Sequence, residues 1–142
     1  NHFLGRRLKY GGENYYMIRL GKRKKFKIKK VSVHESLLLN SKNIATLNSP
    51  VMHYSYRSLG QVIRKFSTYS LSEANEKYKT GERSSIKKII LYPIHMFWAR
   101  FVEDKGFEDG LFRIPLDLLF AYMEFIMYVS LAFLNIKNSK IR

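Results

Sequence analysis

Cysteine is absent from the 142 residues. That excludes a disulfide scaffold, a thiolate metal site and a cysteine nucleophile together. Acidic residues are scarce, with 11 Asp+Glu against 26 Lys+Arg, so the formal charge is +15. Such an excess predicts a polyanionic neighbour: nucleic acid, anionic lipid or a phosphorylated ligand. No Gly-x-Gly-x-x-Gly, Walker loop, His-Glu-x-x-His or Asp-x-Asp occurs, so the usual signatures of a complete nucleotide or metal site are missing. There is no internal repeat or low-complexity linker, and no signal peptide stands at Asn1. The expectation is a piece of a longer protein. What is present is a core-forming composition, 46% hydrophobic and 15% aromatic, which rules out a disordered polycation.

The charge is uneven. Residues 1–30 hold eleven Lys/Arg and one acid, Glu13. Phe26 and Ile28 alternate with Lys25, Lys27 and Lys29, the period of a strand with one apolar and one cationic face. Residues 14–20 have the aromatic and β-branched content of its partner strand, with Gly21 and the basic cluster as the turn. A strand-like rhythm continues to about Tyr56, with 51–54 as a short strand or strand end. From Ser58 the rhythm turns helical: Leu59, Val62, Ile63, Phe66 and Tyr69 recur at helical spacing, and Gly81 ends the run. Ser70-x-x-Glu73 reads as a capping box restarting the helix after a bend. A second helix is expected after Ser84-Ser85, kinked or divided at Pro93, then a loop over 106–110.

The last apolar stretch, residues 118–134, contains one charge, Glu124. Its seventeen residues span about 26 Å as a helix, short of a ~30 Å hydrocarbon layer. Arg113, Asp117 and Glu124 share one helix face, and that face should meet protein, water or headgroups rather than lipid tails. A spanning helix, an interfacial helix and a buried core helix all fit this pattern. Trp98, Phe97, Arg100 and Lys105 upstream, and Lys137, Lys140 and Arg142 at the end, suit an interfacial layer with anionic headgroups.

The four histidines are scattered without zinc spacing. Two constellations could carry chemistry, although each also reads as ordinary structural residues. In Val33-His34-Glu35 a carboxylate stands beside an imidazole; in His53-Tyr54-Ser55-Tyr56-Arg57 an imidazole sits at the strand-to-helix junction. Glu35 could act as a general base on a hydroxyl, and His53 could ligate a divalent metal.

The order Leu8-Lys9-Tyr10-Gly11-Gly12, Arg19-Leu20, Val33-His34-Glu35 and His53-Tyr54-Ser55-Tyr56-Arg57 resembles the second half of a family 2 glycosyltransferase of the lipopolysaccharide-core, β-1,4-glucosyltransferase type. Phe66-Ser67-Thr68-Tyr69-Ser70, Ala74, Tyr78-Lys79-Thr80-Gly81, Trp98, Lys105-Gly106-Phe107 and Asp109-Gly110 continue the likeness over about residues 3–137. The resemblance implies an α+β chain: the β-rich, basic acceptor-side half of a GT-A domain (1–57), an amphipathic helical region (58–110), and an apolar membrane-associated helix with a basic tail (111–142). The nucleotide-binding strands and the Asp-x-Asp would lie in a missing first half, leaving the fragment inactive by itself.

By the same resemblance Glu35 is the catalytic base of an inverting transfer, and His53 completes a site for a divalent metal, Mg or Mn. Gly11 and Gly12 form the loop beneath donor and acceptor, with Arg19, His34 and Tyr54 as further donor or acceptor contacts. The implied partners are a nucleotide-sugar donor, a lipid-linked saccharide acceptor and an anionic membrane surface, at the cytoplasmic face of a bacterial inner membrane. One departure stands out: Glu13-Asn14 follow the glycines where the family pattern leads one to expect Trp. The competing readings are a non-catalytic basic membrane anchor and a nucleic-acid-binding module. The second fits the charge but not the nearly uncharged 118–134 stretch.

Overall fold

The computed structural model describes all residues except 14, 19, 23–25, 30–35, 40–43, 48, 50 and 140–142. Two small antiparallel pairs precede three helices. Strands β1 (His2–Phe3) and β2 (Arg6–Arg7) pair His2 with Arg7 and Phe3 with Arg6. Leu4 and Gly5 between them both have positive φ, 47° and 82°, the backbone twist that a two-residue hairpin turn requires. Strand β3 (Phe26–Lys29) pairs with β4 (Ser36–Leu39). The alternation thus marks β3 correctly but not its partner: residues 15–18 and 20 carry no strand. Period two identifies a strand, whereas pairing depends on which other segment reaches its edge.

Helix α1 (Leu59–Lys79) runs unbroken for 21 residues. Ser58 caps it by accepting a hydrogen bond from the Gln61 amide at 3.2 Å, and Gly81 follows its C-terminus at φ +82°. Ser70 is not a cap. It is fully buried, with Oγ 2.8 Å from the Phe66 carbonyl and 2.7 Å from the Met123 carbonyl, so its hydroxyl joins α1 to the last helix. Helix α2 (Ile86–Trp98) starts at the Ser85 cap, as expected, and passes through Pro93. Its change of geometry comes later, in a π turn over Ala99–Glu103 where the Asp104 amide donates to the Ala99 carbonyl at 2.7 Å. Short 3₁₀ turns, Gly106–Asp109 and Leu111–Arg113, lead into α3 (Ile114–Ser139), 26 residues long.

Helices α1 and α2 each pack along α3 rather than on one another. Contacts rising in step along both helices (Phe66 with Phe120, Ser70 with Met123) make α1 parallel to α3. Ser84 with Asn135 and Arg100 with Asp117 make α2 antiparallel to it. One core, Phe3, Leu8, Tyr56, Val62, Phe66 and Leu116, fastens the N-terminal hairpin to the start of α1 and α3. A second, Ala74, Met127, Tyr128 and Leu131, closes the far end. The turn between α1 and α2 is locked by Glu82, which holds Lys88 at 2.8 Å and Lys77 at 3.2 Å. The hydrogen bond from Lys88, with help from Lys77, keeps the Glu82 carboxyl below the usual carboxylate range.

Candidate functional site

The Tyr10-Gly11-Gly12 turn sits against the end of the helical layer where α3 begins. Gly11 and Gly12 have φ of +63° and +74°, a region that side chains disfavour. The Gly11 amide donates to the Asp104 carbonyl at 2.8 Å. The Lys9 and Tyr10 amides donate to the Asp109 carboxylate at 3.0–3.1 Å. Arg113 closes the arrangement from beneath, giving Nη1 to the Tyr10 carbonyl (2.8 Å) and Nη2 to the Gly11 carbonyl (2.9 Å).

Arg113 is 0% exposed, as is Asp117. Its Nε donates to Asp117 at 2.9 Å and Nη1 also to Asp109 at 3.0 Å. Arg100 extends the network, with Nε 3.3 Å from Asp117 and Nη2 bound to Glu13, while its guanidinium lies 3.5 Å over the Phe120 ring. Three buried or nearly buried carboxylates (Glu13, Asp109, Asp117) thus face two guanidiniums. Burying charges is costly, and such a cluster persists because each carboxylate is paired with a guanidinium and hydrogen-bonded.

The network reaches the surface at His53. Asn1 Nδ2 donates to Glu13 at 2.6 Å, and Asn1 Oδ1 lies 2.9 Å from His53 Nδ1. Ser55 Oγ is 2.7 Å from the same ring nitrogen and 3.3 Å from Nε2. Tyr54 is exposed and stacks on His2, with ring centroids 4.6 Å apart. Beside the turn, the Glu108 carboxylate raises the Tyr10 phenol above its ordinary pKa.

Of the residues singled out in the sequence, Gly11, Gly12, His53 and Tyr54 are gathered at this one end. Arg19, His34 and Glu35 lie outside the described residues. Glu13, the departure from the family pattern, is a buried partner of Arg100. Arg100 is therefore turned into the protein and does not supply a headgroup cation. Sequence reasoning passed over Asn1, and gave neither Arg100 nor Asp109 a place in this site. The spacing Asp109-x-x-x-Arg113-x-x-x-Asp117, acid, base and acid at intervals of four, is the signal that could have found the centre of the network. Glu124 faces α1: burial raises its pKa, with Glu73 and Lys77 as the neighbouring charges.

Replacing Gly11 by Ala should cost on the order of 1–3 kcal/mol from the left-handed backbone alone. The added Cβ would also overlap the Arg113 guanidinium, so the full loss should exceed that figure. Gly60→Ala, in a helix with nothing near the new methyl, should be neutral or stabilising. Thermal unfolding of the two variants side by side measures the difference.

No family model and no solved structure matches the chain. Curated relatives do. The chain is 27% identical over 111 residues to a Rickettsia bellii protein named an uncharacterized glycosyltransferase, a match covering 75% of this chain and 38% of that protein. It is 25% identical over 115 residues to a like-named Rickettsia prowazekii protein, covering 78% and 39%. With the Rickettsia conorii counterpart it shares 24% over 115 residues, covering 78% and 41%. The chain spans about two-fifths of the length of these relatives. These matches support a glycosyltransferase relationship.

Proposed function

We propose that this chain is the acceptor-side portion of an inverting family 2, GT-A glycosyltransferase. The full protein moves a sugar from a nucleotide-sugar donor to a lipid-linked saccharide such as lipopolysaccharide core, at an anionic membrane surface on the cytoplasmic side. The observation that carries the reading is the match to proteins named glycosyltransferases over three-quarters of the chain. The geometry supports it through the Gly11-Gly12 turn, whose bare backbone is held rigid within one residue of the Glu13–Asn1–His53 hydrogen-bond chain.

In this mechanism Glu35 accepts the proton of the acceptor hydroxyl as its oxygen bonds to the anomeric carbon. The bond to the leaving diphosphate breaks on the opposite face, inverting the configuration. Gly12 leaves exposed backbone for a sugar to approach, with Gly11 packed on Arg113 beneath it, while Tyr54 offers an exposed ring to the acceptor. Among the described residues no group of three His, Asp or Glu side chains could hold a metal, and His53 is the residue that would donate a ligand to a divalent site. His53 suits that part: its ring is exposed, and its Nδ1 is oriented by Asn1 and Ser55, as in metal-binding histidines. Mg or Mn, when bound, would neutralise charge on the leaving diphosphate.

The test is transfer of labelled sugar by the full-length protein to a lipid-linked saccharide, titrated with Mg and Mn. His53→Ala should raise the metal concentration for half-maximal rate roughly 10–100-fold. An unchanged metal requirement removes His53 as a ligand, and no transfer from any nucleotide sugar overturns the reading itself.

A further inference from the structure

Helix α3 together with the turn before it, Leu111–Lys137, is long and apolar enough to cross a membrane. Its neighbours argue against crossing. In the first half of α3, Ser67 of α1 lies 3.1 Å from the Tyr122 hydroxyl and Ser70 binds the Met123 carbonyl. Inserting α3 across a bilayer would carry α1 with it, and α1 exposes Gln61, Arg64, Thr68, Asn75 and Lys79. The cost of placing those groups in hydrocarbon is prohibitive. The buried Arg113–Asp117 pair at the start of α3 would enter as well.

Helix α2, on the other flank of α3, is different in kind. Its exposed residues include Ile86, Ile90, Leu91, Ile94 and Trp98, with Ile86 78% and Ile94 61% exposed, and among them Lys87, Tyr92 and His95. At 13 residues it is about 20 Å long, too short to span a ~30 Å hydrocarbon layer. Leu118, Phe125 and Phe133 are exposed along α3 itself. Cations gather at one end of the apolar row. Arg83 and Lys87 stand at its start, and the Ser84–Asn135 hydrogen bond brings the exposed Lys137 to the same end. At or just beyond the other end Trp98 and Lys105 are exposed, beside the exposed acids Glu103 and Asp104. Apolar side chains bounded by lysine, arginine and tryptophan match the layered chemistry of an anionic bilayer interface.

We infer that α2 is the membrane-contact element: its outward row lies in the plane of an anionic phospholipid surface, with α3 parallel to that plane rather than across it. The inference deepens the membrane part of the proposed function, and does not depend on sugar transfer. The layer is amphipathic across its width, α2 towards lipid and α1 towards water, so a lipid-linked acceptor would meet the protein without leaving the bilayer.

The experiment is sedimentation of the full-length protein with equimolar phosphatidylglycerol and phosphatidylethanolamine vesicles. Ile90→Glu with Ile94→Glu should reduce bound protein about tenfold or more, while Ile63→Glu with Leu71→Glu on α1 should not. Salt should weaken wild-type binding. Brominated lipids fix the depth: quenching of Trp98, taken as the difference from Trp98→Phe, should match that of Trp98→Phe with Ile90→Trp if α2 lies flat. Deeper burial of the residue-90 indole would indicate a spanning arrangement and overturn the inference. Undiminished binding of the α2 variant would overturn it too, as would a wild-type dimer that this variant converts to monomer without affecting vesicles. The α2 variant should keep turnover on a soluble acceptor, whereas Glu35→Gln should keep vesicle binding, so failure of this inference and failure of the transferase reading are separable.

Discussion

Glu35→Gln in the full-length protein should lower sugar transfer roughly 10²–10⁴-fold and leave binding of the nucleotide-sugar donor nearly unchanged. The substitution keeps size and shape but removes the one property the mechanism needs, the ability to accept a proton. An acceptor hydroxyl attacks poorly while it retains its proton, so the loss falls on the chemical step and on kcat rather than on donor affinity. The ascending limb of the rate against pH, which reports ionisation of the base, should disappear with it. Titration calorimetry with the donor, together with single-turnover transfer, separates the two effects. Turnover within a few-fold of wild type would remove Glu35 from the mechanism and return the Val33-His34-Glu35 motif to an ordinary role. This expectation rests on the family resemblance, since Glu35 lies outside the described residues.

Arg113→Met should have the largest effect on stability, on the order of 3–5 kcal/mol. Methionine fills much of the volume but leaves Asp117, 0% exposed, with Arg100 as its remaining cation at 3.3 Å. Asp109 would keep only the Lys9 and Tyr10 amides, and the Tyr10 and Gly11 carbonyls would each lose a donor. A lysine cannot replace this set, because a single ammonium lacks the planar fork that serves Asp109, Asp117 and two carbonyls at once. Arg113→Lys should therefore still cost much of the same amount. Adding Asp117→Leu to Arg113→Met should recover part of the loss, since the uncompensated charge goes with it. Urea unfolding followed through Trp98, the only tryptophan of the sequence, reads the helical layer directly. A loss below about 1 kcal/mol would show that the network contributes little net stability.

The two predictions concern different kinds of information. Helix boundaries are local: Ser58 and Ser85 as caps, Gly81 as the stop and the α1 periodicity are all visible in the sequence, because the groups they satisfy lie within one turn. So is the alternation of β3. The buried network is not local. Arg113 meets Tyr10 and Gly11 across about a hundred residues, and Arg100 reaches Glu13 over a similar distance. Only the i, i+4 spacing of Asp109, Arg113 and Asp117 hinted at it. Nothing in the order of residues tells whether Arg100 points to solvent or inward, since a long cationic side chain does either at similar cost until its partners are in place.

By itself the sequence determined where α1 begins and ends and where α2 begins, that this chain offers no thiolate to a metal, and that its last long stretch is apolar. Tertiary structure alone decided what packs against that segment. Hydropathy cannot distinguish burial in protein from burial in lipid, because both remove the same surface from water. Flanking α3 with a polar α1 and an apolar α2 supplies what hydropathy lacks: which faces of the segment protein already covers and which it leaves exposed.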